Sequence, residues 1–400
     1  MTRRGHLVIG QSGGATAVIN ASLVGAVRAA LASDAVDGIY GARHGIEGLL
    51  RRDLIDLRAE APATWDALLT TPSAALGSCR YKLRPEDPER ALAVLRALAV
   101  RHLLYIGGND SADTTHRVAL AAQAAGYDLN VICVPKTIDN DLPLTDHCPG
   151  YGSAARFIAQ AVMDSALCTA AIPDHYPVKI IEVMGRDAGW LAAAGALGKV
   201  RAEDAPHLVY VPERPFARER FLADVRAVHQ AVGYVVVVVA ETVRDEDGAP
   251  LGAIGQQGAD AFGHRLLSGA AQALVALVRE ELGLRARFDK PGDLQRMSAA
   301  HVSATDRAEA EAVGAAAVRA ALAGESDRMV TLERAPGPGY ACATGLAPLA
   351  RVANHVRLLP STFLDDAGTG VTPAFHAYAA PLLGEPLPSY GRLAGAVLGG

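Results

Sequence analysis

Two aspartates and a lysine lie close together in Lys136-Thr137-Ile138-Asp139-Asn140-Asp141, directly after an apolar run at 131–134 that is typical of a buried strand. One carboxylate could accept a proton from a hydroxyl group, the other could help to hold Mg²⁺, and the lysine could bind phosphate oxygens. This combination predicts phosphoryl transfer. Lys136 stands out because only five of the 38 lysines and arginines are lysine.

Short apolar runs alternate with longer alanine-rich segments, which predicts βαβ units and mainly parallel sheets covered by helices on both faces. Strands are predicted at 7–10, 103–106, 130–134, 179–183, 208–211 and 234–240. Helices are predicted at 17–32, 88–99, 111–125, 154–166, 216–231, 258–281 and 306–323. The Pro/Gly-rich stretch 334–339 predicts a loop or linker before an irregular C-terminal segment that packs on the body.

Polar residues gather where these strands end, which is the edge at which open parallel sheets bind ligands. Gly13-Gly14 follows the first strand and Gly107-Gly108-Asn109-Asp110 the second, while Arg186 and Glu241 follow later strands. Glycines let backbone N–H groups approach an anion, and a helix N-terminus adds favourable partial charge. Tight turns and simple helix capping by Asn109 or Asp110 are the plainer alternatives.

A different class of enzyme also fits the first loop. Gly10-Gln11-Ser12-Gly13-Gly14 matches the G-x-S-x-G nucleophile elbow in a strand–turn–helix context, with Ser12 as nucleophile. Such an elbow normally follows several strands that supply the oxyanion hole, whereas this loop follows the first strand. A serine hydrolase is therefore the weaker alternative.

Composition narrows the class of protein. The net charge of −5 over 400 residues argues against nucleic-acid binding. The longest apolar stretch, 235–240, is far short of a membrane span, and the run at 7–9 is too short for a signal peptide. Five scattered cysteines form no C-x-x-C pair, so neither a zinc site nor a disulfide framework is indicated. We expect a cytoplasmic enzyme of two or three domain-sized units.

Taken together, the motifs resemble the phosphofructokinase superfamily, in the family's order and from about residue 7 to about residue 307. The matching segments are Ser12-Gly13-Gly14, Leu76-Gly77-Ser78-Cys79-Arg80, Gly107-Gly108-Asn109-Asp110-Ser111, Pro135-Lys136-Thr137-Ile138-Asp139-Asn140-Asp141, Glu182-Val183-Met184-Gly185-Arg186, Ala240-Glu241 and Leu294-Gln295-Arg296. The resemblance implies two Rossmann-like three-layer α/β domains with the active site in the cleft between them. The donor domain would comprise 1–145 plus about 297–335, the sugar-phosphate domain 146–296, and a C-terminal segment 336–400 would pack on the body.

The resemblance also implies a reaction, the Mg²⁺-dependent, reversible phosphorylation of fructose 6-phosphate at its C1 hydroxyl, as in glycolysis and gluconeogenesis. Asp139 would be the base, Lys136 and Asp110 would complete the catalytic group, and Asn109 and Asp141 would bind the metal. Arg287 matches a position that often reaches the neighbouring subunit's 6-phosphate, so we expect a homodimer or higher homo-oligomer. Sugar-phosphate binding would fall to Thr137, Asp139, Met184, Gly185, Arg186, Glu241, Arg287, Asp293 and Arg296, with Arg296 on the 6-phosphate.

Two positions, Asp110 and Lys136, indicate the identity of the phosphoryl donor. Gly13, Arg80, Asp110 and Lys136 would contact it. ATP-using members typically carry glycine at the positions of Asp110 and Lys136, and the residues here resemble the pyrophosphate-using branch. An aspartate would repel the α-phosphate of ATP, while a lysine can donate to the leaving phosphate. We therefore expect pyrophosphate, with an ATP-dependent enzyme as the alternative.

Three positions depart from the family pattern. Asn109 replaces the usual metal-binding aspartate, Pro177 stands where many members place a cross-subunit arginine, and Asp293 replaces a histidine or tyrosine. The last two changes concern the acceptor, so sedoheptulose 7-phosphate is an expected additional substrate.

Overall fold

The computed structural model describes residues 4–252, 269–337 and 339–393. Its strands are β1 (Gly5–Gln11), β2 (Val36–Ala42), β3 (Leu54–Asp56), β4 (Val100–Gly107), β5 (Asn130–Pro135), β6 (Val178–Val183), β7 (Leu208–Tyr210), β8 (Val235–Ala240), β9 (Ala286–Asp289), β10 (Arg328–Arg334) and β11 (Cys342–Pro348). Its α-helices are α1 (Ile19–Leu31), α2 (Gly45–Arg51), α3 (Pro62–Leu68), α4 (Asp87–Ala97), α5 (Asn109–Ala124), α6 (Tyr151–Ala170), α7 (Trp190–Ala194), α8 (Arg218–Val232), α9 (Ala270–Leu282), α10 (Leu294–Met297), α11 (Ala304–Leu322) and α12 (Pro373–Ala379). None of the helices within these ranges is long and apolar enough to cross a membrane.

The first sheet has the order β11-β10-β5-β4-β1-β2-β3 in the described part of the chain. Its central strands are parallel, and an antiparallel strand closes each edge. Both faces are buried: Ile9 packs with Leu23 of α1 and Val313 of α11, while Val8 packs with Leu95 and Val118 of α4 and α5. This two-sided burial explains why β1, β4 and β5 are continuous apolar runs.

The second sheet has the order β7-β8-β6-β9 and is parallel throughout. The valines of β8 pack with Ile181 of β6 and with Trp190 of α7 in one large core. The predicted α/β class with two mainly parallel sheets is therefore confirmed, and the predicted strands and helices match the observed ones in position within a few residues. The predicted helix at 258–281 corresponds to α9, but residues 258–268 lie outside the described ranges.

The strands that the sequence did not predict lie toward the sheet edges. β2 and β11 carry glycine and alanine rather than an apolar run, and β9 is a short, charged edge strand. The C-terminal segment was expected to be irregular, but it contains β11 and α12. Residues 342–348 become a strand because they pair with β10, a tertiary contact that local propensity does not reveal.

The loops that carry the predicted site residues lie at the carboxyl ends of the strands. Gln11 pairs with Ile106 and Gly107 with Pro135, so β1, β4 and β5 end together. In the second sheet Val183 of β6 pairs with Ala240 of β8. The loops that follow these strands open into one shared cleft.

Candidate active site

A cleft of about 680 Å³ is formed by loops from both sheets. It contains the strand-end residues that the sequence singled out and several that it did not. The lining residues are Gly13, Gly14, Thr16, Arg80, Gly108, Asn109, Asp110, Ser111, Lys136, Thr137, Ile138, Asp139, Asp141, Met184, Arg186, Asp187, Glu241, Thr242, Arg244, Arg296, Asn354 and Val356.

Lys136 connects the catalytic loop to the first glycine loop. Its side chain is only 3% exposed, and Nζ donates to Gly14 O at 2.7 Å. Gly13 has a φ of 77°, and a Cβ there would lie 3.1 Å from Lys136 Nζ, so both the turn and the close approach require glycine. Burial, together with the positive charge of Arg296, lowers the pKa of Lys136 to about 7. An anion bound beside Nζ would favour the charged form.

Asp139 faces the cleft between positive groups. Its backbone N–H donates to Thr137 Oγ1 at 3.0 Å, which fixes the turn that presents the carboxylate. Burial raises the pKa of Asp139, while Arg186 and Lys136 oppose that rise. A carboxylate with a raised pKa and access to a cleft suits a general base better than an ordinary surface aspartate.

Two further carboxyls lie near Asp139 and have raised pKa values. Burial raises the pKa of Asp141 to about 6, and the charge of Asp139 adds to the effect. Burial also raises the pKa of Glu241 to about 7, again with a contribution from Asp139. This accumulation of negative charge would be relieved by a bound cation or by hydroxyl donors from a ligand.

The predicted donor and acceptor residues meet across the cleft. Arg186 follows β6 and Asp110 follows β4, yet the Arg186 guanidinium lies 3.5 Å from the Asp110 carboxylate. Arg186 has a φ of 48°, and its carbonyl accepts a hydrogen bond from Thr242 Oγ1. Such a left-handed conformation in a non-glycine residue needs support from its surroundings, and Thr242 of the neighbouring strand end supplies part of it.

Arg296 lies nearer to the glycine loop than its predicted role suggests. A Cβ on Gly14 would be 2.6 Å from an Arg296 guanidinium nitrogen, and Arg296 Nε is buried without a hydrogen-bond partner. The guanidinium also contacts Asp293 at 2.8 Å. The preceding Gln295 accepts from Met184 N at 3.0 Å, which joins this turn to the loop after β6.

Four sequence candidates do not line the cleft, and one of them is Gly185, between Met184 and Arg186. Asp293 is 71% exposed and touches Arg296 from outside. Arg287 lies on edge strand β9, with its guanidinium 3.2 Å from the ring centre of Tyr176. Ser12 is 4% exposed, and its hydroxyl lies 3.5 Å from Cys79 O, so the serine hydrolase alternative lacks an accessible nucleophile.

The carboxamide of Asn109 is bonded on both sides to the C-terminal segment. Its oxygen accepts from Asn354 N at 2.8 Å and its nitrogen donates to His355 O at 2.5 Å. Both polar atoms of the Asn109 side chain are therefore engaged by the backbone of the C-terminal segment, and the metal-binding role of Asn109 stays a prediction. Within the described residues no group of three or more His, Cys, Asp or Glu side chains is arranged to hold a metal.

Sequence reasoning missed cleft residues for two reasons. Arg244 and Asp187 lie three residues after Glu241 and one after Arg186, so attention to the whole strand end would have found them. Asn354 and Val356 carry no recognisable motif and reach the cleft only through the fold.

Residues 6–321 match the family model for phosphofructokinase. The chain is 45% identical to the pyrophosphate–fructose 6-phosphate 1-phosphotransferase of Xanthomonas campestris pv. campestris, covering 97% of this chain and 94% of that one. It is 37% identical to the sulfofructose kinase of Alkalicoccus urumqiensis, with coverage of 90% and 92%. The crystal structure of a pyrophosphate-dependent phosphofructokinase from Nitrosospira multiformis superposes with a TM-score of 0.87 at 39% identity, covering 96% of this chain and 94% of that chain.

Proposed function

The chain belongs to the phosphofructokinase family, and we propose that it transfers a phosphoryl group reversibly from pyrophosphate to the C1 hydroxyl of fructose 6-phosphate. The products are fructose 1,6-bisphosphate and phosphate. The observation that carries the proposal is the buried Lys136 amino group, held beside the glycine loop in the same cleft as Asp139 and able to take a positive charge beside a bound anion. A buried cation needs an anionic partner, and a pyrophosphate oxygen would be one. The activity for which the Xanthomonas relative is named supports the same donor and acceptor.

The donor preference rests on Asp110 and Lys136. The Asp110 carboxylate lies in the cleft opposite Arg186, where it would repel the additional phosphate of a nucleotide. Lys136 approaches the glycine loop closely enough to contact a phosphate bound there. Pyrophosphate lacks the binding energy of a nucleoside, and a desolvated lysine is one way to replace it.

Asp139 is the proposed base. It accepts the proton of the C1 hydroxyl while the C1 oxygen forms a bond to the nearer phosphorus of pyrophosphate. The bridging P–O bond breaks, and its electron pair goes to the leaving phosphate. In the reverse direction Asp139 returns the proton to the C1 oxygen. Its raised pKa favours both steps because the carboxyl binds and releases a proton closer to neutral pH.

Arg186 and Arg80 supply fixed positive charge around the transferred group, and Lys136 adds to it when a bound anion favours its charged form. All three line the cleft, and Lys136 is oriented before any ligand binds by its bond to Gly14 O. Charge that is already in place needs no reorganisation during the reaction, which makes its electrostatic stabilisation effective. Thr137 orients Asp139 through the Asp139 N–H.

We also propose Mg²⁺ as the metal, held by Asp141 together with phosphate oxygens and water. Magnesium is usually bound through one or two carboxylates plus substrate phosphates. Burial and the charge of Asp139 raise the pKa of Asp141 to about 6, and a bound cation would favour its charged form. When bound, Mg²⁺ would neutralise part of the negative charge of pyrophosphate.

The proposed residues that bind the acceptor are Met184, Gly185, Arg186, Glu241 and Arg296. We also propose that residues 146–296 form the sugar-phosphate domain and that residues 1–145 plus about 297–335 form the donor domain. Glu241, whose pKa is raised to about 7, would accept from or donate to a sugar hydroxyl. The exposed position of Arg287 on β9 is compatible with a reach into a neighbouring subunit, so we propose a homo-oligomer.

A coupled assay tests the proposed function. Purified protein is given fructose 6-phosphate, Mg²⁺ and either pyrophosphate or ATP, and fructose 1,6-bisphosphate is followed through aldolase and glycerol-3-phosphate dehydrogenase. We expect turnover with pyrophosphate and at least about a hundredfold lower kcat/KM with ATP, which is about 3 kcal/mol of discrimination. Turnover with ATP alone would overturn the donor assignment.

A further inference from the structure

A short strap of the C-terminal segment, Asn354 to Leu359, borders the cleft with Asn354 and Val356 and bonds to loops from both sheets. At the donor side, its first two residues bond to both ends of the Asn109 carboxamide. Asn354 Nδ2 also donates to Asp113 of α5 at 2.9 Å. The strap therefore holds the start of the helix that follows the second glycine loop.

The centre of the strap is bonded to the catalytic loop through Arg357. Its backbone N–H donates to Asp141 O at 2.7 Å. Its guanidinium donates to Asn140 O from Nε at 3.2 Å and from Nη2 at 2.8 Å. Nη1 donates to Thr145 O at 2.7 Å and also to Asp146 O. One side chain thus spans both ends of the turn that carries the two aspartates.

The far end of the strap is bonded to the sugar-phosphate side. Arg357 O accepts from Trp190 Nε1 at 3.1 Å, and the guanidinium lies 4.6 Å from the Trp190 ring centre. Leu359 N donates to Glu213 Oε1 at 2.7 Å, and the same oxygen accepts from Gly189 N at 2.8 Å. Trp190 and Gly189 follow directly on the Met184–Arg186 loop.

The turn held by Arg357 needs such support. Asn140, between the two aspartates, has a φ of 56°, a left-handed conformation that persists only where the surroundings determine it fully. Its side chain is fixed by Tyr378 and Cys148 N, and its carbonyl is fixed by Arg357. The direction of the Asn140 carbonyl decides where the backbone turns between Asp139 and Asp141.

We infer that Arg357 is a positioning residue for the phosphoryl transfer, acting through the carbonyls of Asn140, Thr145 and Asp146 to hold Asp139 and Asp141 in register with the donor loop. The inference rests on the proposed function for its kinetic readout. Arg357 is suited to this role because its planar group reaches several carbonyls at once, whereas a lysine offers a single point. It does not line the cleft, so it acts on substrate only through the loop.

The test compares Arg357→Met and Arg357→Lys with a matched control, Arg334→Met. Arg334 also stacks on a neighbouring ring, Tyr378, and bonds to the Asp146 carboxylate at 3.0 Å, but it does not bond to the Asn140 or Asp141 backbone. The measurements are kcat, KM for pyrophosphate and fructose 6-phosphate, Tm, and hydrogen–deuterium exchange of the peptide spanning 137–146.

For Arg357→Met we expect kcat to fall roughly a hundredfold, since a displacement of about 1 Å of a catalytic group can cost that much, with both KM values within about threefold of wild type. Exchange in 137–146 should rise. Arg357→Lys should recover part of kcat, and Arg334→Met should lower Tm while leaving kcat within about threefold.

If Arg357→Met keeps the kcat of the wild type, the inference is wrong. It is also wrong if Arg334→Met loses as much kcat as Arg357→Met while the two variants have the same Tm. If Arg357→Met does not fold, Arg357→Lys decides, because unchanged kcat and exchange there exclude positioning. If the wild type does not use pyrophosphate, the proposed function fails, while the exchange comparison still tests whether Arg357 holds the loop.

Discussion

Replacing Lys136 by methionine should make the protein more stable and much less active. The side chain is 3% exposed, and burial lowers its pKa from 10.5 to about 7. At 1.36 kcal/mol per pKa unit, this depression corresponds to a destabilisation on the order of 3–5 kcal/mol near neutral pH. The lost hydrogen bond to Gly14 O offsets about 1 kcal/mol. We expect Lys136→Met to gain on the order of 2 kcal/mol in free energy of unfolding at pH 7.

The pH dependence of that gain identifies its cause. Because the folded-state pKa of Lys136 is depressed, the destabilisation caused by burying the lysine is absent above its ordinary pKa of 10.5 and grows as pH falls toward 7. The advantage of Lys136→Met should therefore be largest at pH 6–7 and shrink toward pH 10. Denaturant unfolding at pH 6.5, 8 and 9.5, without ligands, measures it.

The same variant should lose roughly 10²- to 10³-fold in kcat with pyrophosphate, the usual effect of removing one preorganised donor to a developing negative charge. Lys199→Met is the control, because Lys199 also donates to a backbone carbonyl, Pro206 O at 3.2 Å, but lies outside the cleft; its kcat should not change. A lower stability of Lys136→Met at pH 6.5, or a kcat within tenfold of wild type, would refute the reasoning.

Three more predictions concern the cleft. Asp139→Asn should lose at least about a thousandfold in kcat while calorimetry still detects sugar-phosphate binding; near-normal turnover would remove Asp139 as the base. The double variant Asp110→Gly with Lys136→Gly should raise the ratio of ATP to pyrophosphate kcat/KM, and an unchanged ratio would place donor choice elsewhere. Glu241→Gln should be stabilised relative to wild type above pH 7 and hardly at pH 4, because the raised pKa of Glu241, about 7, means that its contribution to stability is complete below its ordinary pKa of 4.5 and is lost as pH rises through about 7. Equal Tm differences at both pH values would exclude this explanation.

The sequence predicted the structure best where a pattern of residue types has only one common physical explanation. The strands β1, β4, β5, β6 and β8 were predictable because strands buried on both faces must be apolar runs. Their loops were predictable because glycine, aspartate and lysine at a strand end have few structural reasons to occur together. The cleft brings Lys136, Asp139 and Asp110 together, as the parallel topology requires.

The strap could not be predicted because its bonds are long-range. Asn354 and Asn109 are 245 residues apart, and Arg357 contacts only backbone carbonyls of the catalytic loop, which carry no sequence signature. The same contacts join Asn109 to the C-terminal segment. The contact between Arg296 and Gly14 is likewise visible only in the folded structure.

The most direct test of the central claim follows the transferred phosphorus itself. In ³¹P NMR of a mixture containing the protein, Mg²⁺, fructose 6-phosphate and pyrophosphate, the pyrophosphate signal should fall while the C1-phosphate signal of fructose 1,6-bisphosphate and that of phosphate rise in equal amounts. Adding excess phosphate to the product should restore pyrophosphate. A C1-phosphate signal that rises only when ATP replaces pyrophosphate would contradict the account.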